Sequence, residues 1–179
     1  MDLAQIAIVG NGPSRRLYRP FKGDVCVCNI PQLAIDYDYI SIVDVIAFQY
    51  VKKQNLVFDK PVLTTEDTLR NIKKHNLKTE IQPVFKHKLM NSAATAAYYF
   101  TEHYDTIWLY GCDALWSNNT SSHQDTLIPR AKRTKNLHIQ WRAKWEKVWK
   151  TDAQFVIVCP NNVETVNYGD NVFWNRSKT

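Results

Sequence analysis

The segment QIAIVGNGPS, residues 5–14, restricts the fold of this chain more than any other stretch. Gln5-Ile6-Ala7-Ile8-Val9 is apolar and rich in β-branched residues, the composition of a strand covered on both faces. Gly10 and Gly12 follow, where backbone freedom and a missing side chain let a ligand approach closely. Ser14 is a residue type that caps a following helix, and the unpaired N–H groups of a helix start attract anions. Asn11, between the two glycines, carries both a donor and acceptors. The spacing is not GxGxxG, since Arg15 stands at the third glycine's place, and no Gly-Lys-Ser/Thr follows as in a Walker A loop. A strand-to-helix turn that needs two glycines only for its shape fits the same letters.

Further strand-like runs follow: Asp24–Cys28, Tyr39–Phe48, Pro61–Leu63, Pro83–Phe85, Thr106–Tyr110 and Gln154–Cys159. Helical segments are expected at Thr65–Lys74, Ser92–His103 and Leu137–Lys150. Strands alternating with helices predict an α/β class: a single Rossmann-like domain with a mostly parallel sheet flanked by helices. That domain is expected over 1–161. It carries a polar loop or lid at 117–136, and a partly ordered tail follows at 162–179. The strands run into Gly10-Asn11-Gly12, Asn29, Gln49, Gly111-Cys112-Asp113 and Pro160-Asn161-Asn162. In a parallel sheet these ends share one edge, where ligands bind, so small and amide-bearing residues converge on a polar pocket. The run Asn91-Ser92-Ala93-Ala94-Thr95 begins with a capping residue and continues with small side chains. It predicts a helix that packs closely on the sheet and opens its first amides to a phosphate.

Composition narrows the class. Four cysteines at positions 26, 28, 112 and 159 have neither zinc spacing nor a disulfide pattern, and read as buried reduced thiols. No metal ligand set is assigned. No segment reaches the ~20 apolar residues of a membrane span and no leader pattern opens the chain, which predicts a cytoplasmic protein. The net charge is +6, with much of the excess between Arg130 and Lys150. That segment is expected to attract an acidic acceptor or a nucleic acid, or to be a solvated helix face. Trp141, Trp145 and Trp149 recur every four residues, which predicts a core-facing helix stripe; stacking on bases is the alternative.

The motifs QIAIVGNGPS, VCVCN, NSAATAAYYFTEHYDTIWLYGCD and FVIVCPNN resemble, in this order, the Campylobacter-type bacterial sialyltransferases. The GNGPS opening is similar also to the archaeal pterin diphosphokinase-like family. The resemblance implies a Rossmann-like nucleotide-binding fold. It further implies a glycosyltransferase that uses a nucleotide-sugar donor, CMP-linked, without a required cofactor or metal. It implies that Gly10, Asn11, Gly12, Ser14, Asn29, Ser92, Ala93, Gly111, Asp113, Pro160 and Asn161 hold the nucleotide. The acceptor's base would be a histidine, with His138 and His123 as candidates. The chain differs from the sialyltransferase pattern at Leu115, where those enzymes carry Tyr, and at Gln49, where they carry Asn.

Histidine matches the task of removing a proton near neutral pH, and hydrogen-bond donors stabilise a leaving phosphate. Asp113 would instead serve Mg²⁺ in a nucleotide diphosphokinase, or simply cap a turn. A third reading is a non-catalytic nucleotide- or nucleic-acid-binding protein.

Overall fold

The computed structural model describes residues 3–30, 35–56, 58, 60–74, 81–85, 91–128 and 136–178. The strands are β1 (Gln5–Val9), β2 (Asp24–Cys28), β3 (Tyr39–Ser41), β4 (Val62–Thr65), β5 (Ile81–Phe85), β6 (Thr106–Tyr110), β7 (Gln154–Pro160) and β8 (Val172–Ser177). The α-helices are α1 (Val45–Lys53), α2 (Glu66–Lys74), α3 (Ser92–Phe100) and α4 (Leu137–Trp149). All eight strands form one sheet in the order β5-β4-β3-β2-β1-β6-β7-β8, and every neighbouring pair is parallel. The expected α/β class is the observed one.

The order explains where the helices lie. From β1 the chain steps outward through β2 to β5, then returns across the sheet to β6 and steps the other way. Right-handed crossovers in opposite directions put their helices on opposite faces. The strands alternate accordingly. Ile6, Ile8, Cys26, Ile107, Leu109 and Phe155 pack with α3 and α4, while Ala7, Val9, Val25, Val27 and Ile40 pack with Phe48 and Val51 of α1. The small residues Ala93, Ala94, Ala96 and Ala97 are buried, which brings α3 close to the sheet.

Two sequence expectations are corrected. Tyr39–Phe48 is not one strand: β3 ends at Ser41, and α1 begins at Val45. Within this Ile/Val-rich run a helical period was hidden. Ala47, Phe48 and Val51 are buried, whereas Ile46 is 55% exposed. Gln49 therefore lies exposed on a helix, and the residue that follows the third strand's buried run is Asp44. The segment 162–179 is not a tail. Val172–Ser177 is the eighth strand, in register from Phe155↔Val172 to Pro160↔Ser177. Asn171 pins its start, its Nδ2 donating to the carbonyls of Trp149, Thr151 and Ala153 at 2.9–3.1 Å. Val172 and Trp174 pack on the α4 side of the sheet, so the alternation is real but only three turns of the pleat long.

In the polar 117–136 segment, His123–Thr126 form a 3-10 helix with a capping box of Ser122 and Asp125. Residues 129–135, with the basic Arg130, Lys132, Arg133 and Lys135, lie outside the described residues. Among the described residues no helix is long and apolar enough to cross a membrane.

Candidate functional site

Between β1 and β6 the winding reverses, and loops that leave neighbouring strand ends there diverge and leave a crevice. A cavity of about 320 Å³ occupies that place. Gly10, Asn11 and Gly12 after β1 line it, with Cys28 and Asn29 at the end of β2 and Asp44 after β3. Asn91, Ser92 and Ala93 at the start of α3, and Gly111 to Ala114 after β6, complete the sheet side. Asn119 to Ser122 and Leu137, Trp141 and Trp145 form the opposite wall.

The GNGPS loop is built differently from the sequence expectation. The helix it enters is a 3-10 helix of five residues, Pro13–Leu17, with Gly12 at the cap position and Ser14 inside it. Its amides are already engaged. Gly10 N donates to Tyr110 O at 2.7 Å, Gly12 N to Gly111 O at 2.8 Å, and Arg15 N to Gly12 O at 3.0 Å. Ser14 N donates to both carboxylate oxygens of Asp113, at 2.9 and 3.0 Å. Ser14 is therefore not a helix cap, and this loop's amides are a clamp to β6. A Cβ at Gly12 would lie 2.3 Å from Asp113 Oδ1. Gly111 has φ +65, and a Cβ there would meet Gly10 O at 2.6 Å. The two glycine turns fit against each other only without side chains. Burial raises the Asp113 carboxyl above its usual range, opposed by the bonds from Ser14 and the charge of Arg16.

Asn11 is held at three points. Its Nδ2 donates to Cys28 O at 2.8 Å, its Oδ1 accepts from Arg15 Nη1 at 3.1 Å, and its carbonyl accepts from His123 N at 2.8 Å. Asn29 adopts φ 56, the left-handed region that Asn tolerates better than most residues. In that turn its Oδ1 accepts from Ser92 Oγ at 2.8 Å, which joins the end of β2 to the start of α3. The carbonyl of Ser92 accepts from Ser41 Oγ at 3.0 Å. Asn91 caps α3, its side chain accepting from Ala94 N at 2.8 Å. The first turn of α3 is thus fixed at the cavity rim with its positive dipole end toward the lining.

Of the residues singled out from sequence, Gly10, Asn11, Gly12, Asn29, Ser92, Ala93, Gly111 and Asp113 line one cavity. Ser14, Pro160 and Asn161 do not. Pro160 is the last residue of β7, paired with Ser177, and β7 stands two strands away from β1. Neither histidine lines the cavity. His138 is half-buried in the first turn of α4, next to Leu137, which does. His123 sits behind Asn11, and burial, then the Arg15 charge, lowers its imidazole below the usual value. Asp44 was missed because it lay inside a run read as strand. Trp141 and Trp145 were read as core. Trp145 and Trp149 are core, stacked with centroids 4.9 Å apart, but Trp141 is half-buried on the cavity wall.

No family model, curated protein or solved structure matches the chain. The four cysteines are free and buried, and burial raises each thiol. Among the described residues no group of three or more His, Cys, Asp or Glu side chains is placed to hold a metal ion.

Proposed function

We propose that the chain binds a nucleotide-linked sugar in this cavity and transfers the sugar to an acceptor. The observation that carries the proposal is the cavity's position at the reversal of strand order, with Asn11, Asn29, Ser92 and the start of α3 fixed around it. The start of α3 receives the phosphate, because a helix N-terminus stabilises negative charge that grows as the leaving group departs. The acceptor hydroxyl attacks the anomeric carbon and the bond from that carbon to the phosphate oxygen breaks. The electron pair leaves with the nucleotide. Since neither His123 nor His138 lines the cavity, Asp44 takes the acceptor's proton in this reading. The preference for a CMP-linked donor rests on the motif resemblance.

The Mg²⁺-dependent diphosphokinase reading has less support. Asp113, the carboxylate that reading needs, already accepts the Ser14 amide at both oxygens. The placement of the histidines favours one second reading, nucleotide binding without turnover.

Incubation with CMP-linked and UDP-linked sugars, with and without Mg²⁺, separates these readings. Metal-independent release of nucleotide, lost in Asp44→Asn, is the expected result. Release that needs Mg²⁺ would overturn the metal-independent mechanism, and binding without release would favour the second reading.

A further inference from the structure

Among the described residues, the buried charge behind the glycine loop has no counter-ion. Arg15 is 5% exposed. Its Nη1 donates to Asn11 Oδ1, and its Nε has no hydrogen-bond partner. No carboxylate of the described residues comes within 4.0 Å of the guanidinium. Arg15 shares the lining of a second groove with Asp36 and Asp38, and neither pairs with it. Its other close charged or titratable neighbours are the Cys28 thiol and the His123 imidazole. Neither supplies negative charge: the thiol is buried and protonated, and the imidazole is neutral or positive.

Burying an arginine in this way is costly, because a guanidinium stays charged and its lost hydration must be replaced. Leu or Met at this place would carry no such cost. The guanidinium bonds to the side chain of Asn11, and Asn11 lines the cavity. Arg15 draws on Asn11 Oδ1, and this polarises the amide so that the one N–H not donated to Cys28 O becomes a stronger donor for a ligand.

We propose that Arg15 is the counter-charge for an anionic phosphate group bound in the cavity between Asn11 and the start of α3, and that it acts through Asn11 as a positioning residue. The inference rests on the nucleotide reading for the ligand's identity, but its own content is the anion. It predicts that the ligand-free protein carries an unbalanced charge which a phosphate balances.

The test uses inorganic pyrophosphate as the probe and the full chain. At a hundredfold excess over its dissociation constant, pyrophosphate should raise the melting temperature of the wild-type chain by roughly 5–10 °C. Arg15→Gln should lose most of that shift while melting, unliganded, no lower than wild type. In parallel titrations wild type should bind CMP at least about tenfold more tightly than cytidine, and R15Q should abolish that ratio with cytidine affinity unchanged. In the wild-type chain, whose folding is not in question, the Arg15 Nε–H resonance should move on addition of pyrophosphate. Equal pyrophosphate shifts in wild type and R15Q, an absent shift in both, or an unmoved Nε–H resonance would overturn the proposal. A pyrophosphate shift that R15Q loses, with no binding of CMP or cytidine, would uphold the anion site and overturn the nucleotide reading alone.

Discussion

Gly12 shows how tightly single residues set the site. The space its side chain would occupy is filled by the Asp113 carboxylate, which at the same time receives the Ser14 amide. Gly12→Ala must push that carboxylate or the backbone aside, and should cost about 1–3 kcal/mol as overpacking does. Urea unfolding of the variant measures it; an unchanged midpoint would contradict the clamp. His123 makes a second residue-scale prediction. Its folded-state proton affinity lies below the ordinary value of 6.5. Between those two values the unfolded chain binds more protons, so the contribution to stability is full above the ordinary value and is lost as pH falls toward the lowered one. Melting temperature should therefore fall as pH drops below about 7.5, and His123→Gln should flatten that slope. At this scale the sequence was a fair guide to which residues meet. It was a poor guide to what they do there. Gly12, Ser14 and Asp113 were identified from turn chemistry, but their mutual bonding depends on β6 lying beside β1, a contact across some hundred residues that no local pattern encodes.

The elements divide in the same way. β1, β2, β6 and β7 are apolar runs bounded by turn residues, and they were legible as such. β8 was not, because an edge strand buries little of its surface and Val172–Ser177 alternates without a continuous apolar run. α1 was hidden because Val, Ile and Phe satisfy a helix and a strand pattern alike over ten residues. α4 carries three tryptophans at one spacing but puts them to two uses. Trp145 and Trp149 join Phe155 and Tyr168 in the core. Trp145→Ala should cost about 3–5 kcal/mol, the usual range for removing a buried aromatic. Trp141→Ala, one turn earlier and half-buried on the cavity wall, should lower the unfolding midpoint less than Trp145→Ala does and weaken nucleotide binding. Chemical denaturation and calorimetry on the two variants separate these roles; equal losses of stability would mean that the stripe is core throughout.

For the molecule as a whole, the decisive fact is the order of the strands. With β1 at the centre and the winding reversed at β6, the loops after β1, β2, β3 and β6 and the start of α3 face one cavity. Pro160 and Asn161 fall outside because β7 lies beyond β6. The alternation of strands and helices made this arrangement expectable, but strand order is a property of long-range pairing, and only the sheet itself assigns it. The account stands or falls on whether that cavity holds a nucleotide. Calorimetric titration of the purified chain with CMP, UMP, AMP and GMP, repeated for Asn29→Ala and with and without Mg²⁺, is the direct measurement. The expected result is metal-independent binding of a nucleotide at one site, at least about tenfold weaker in Asn29→Ala, since that change unties α3 from β2 at the rim. Absence of binding by all four nucleotides, or binding indifferent to Asn29, would contradict it.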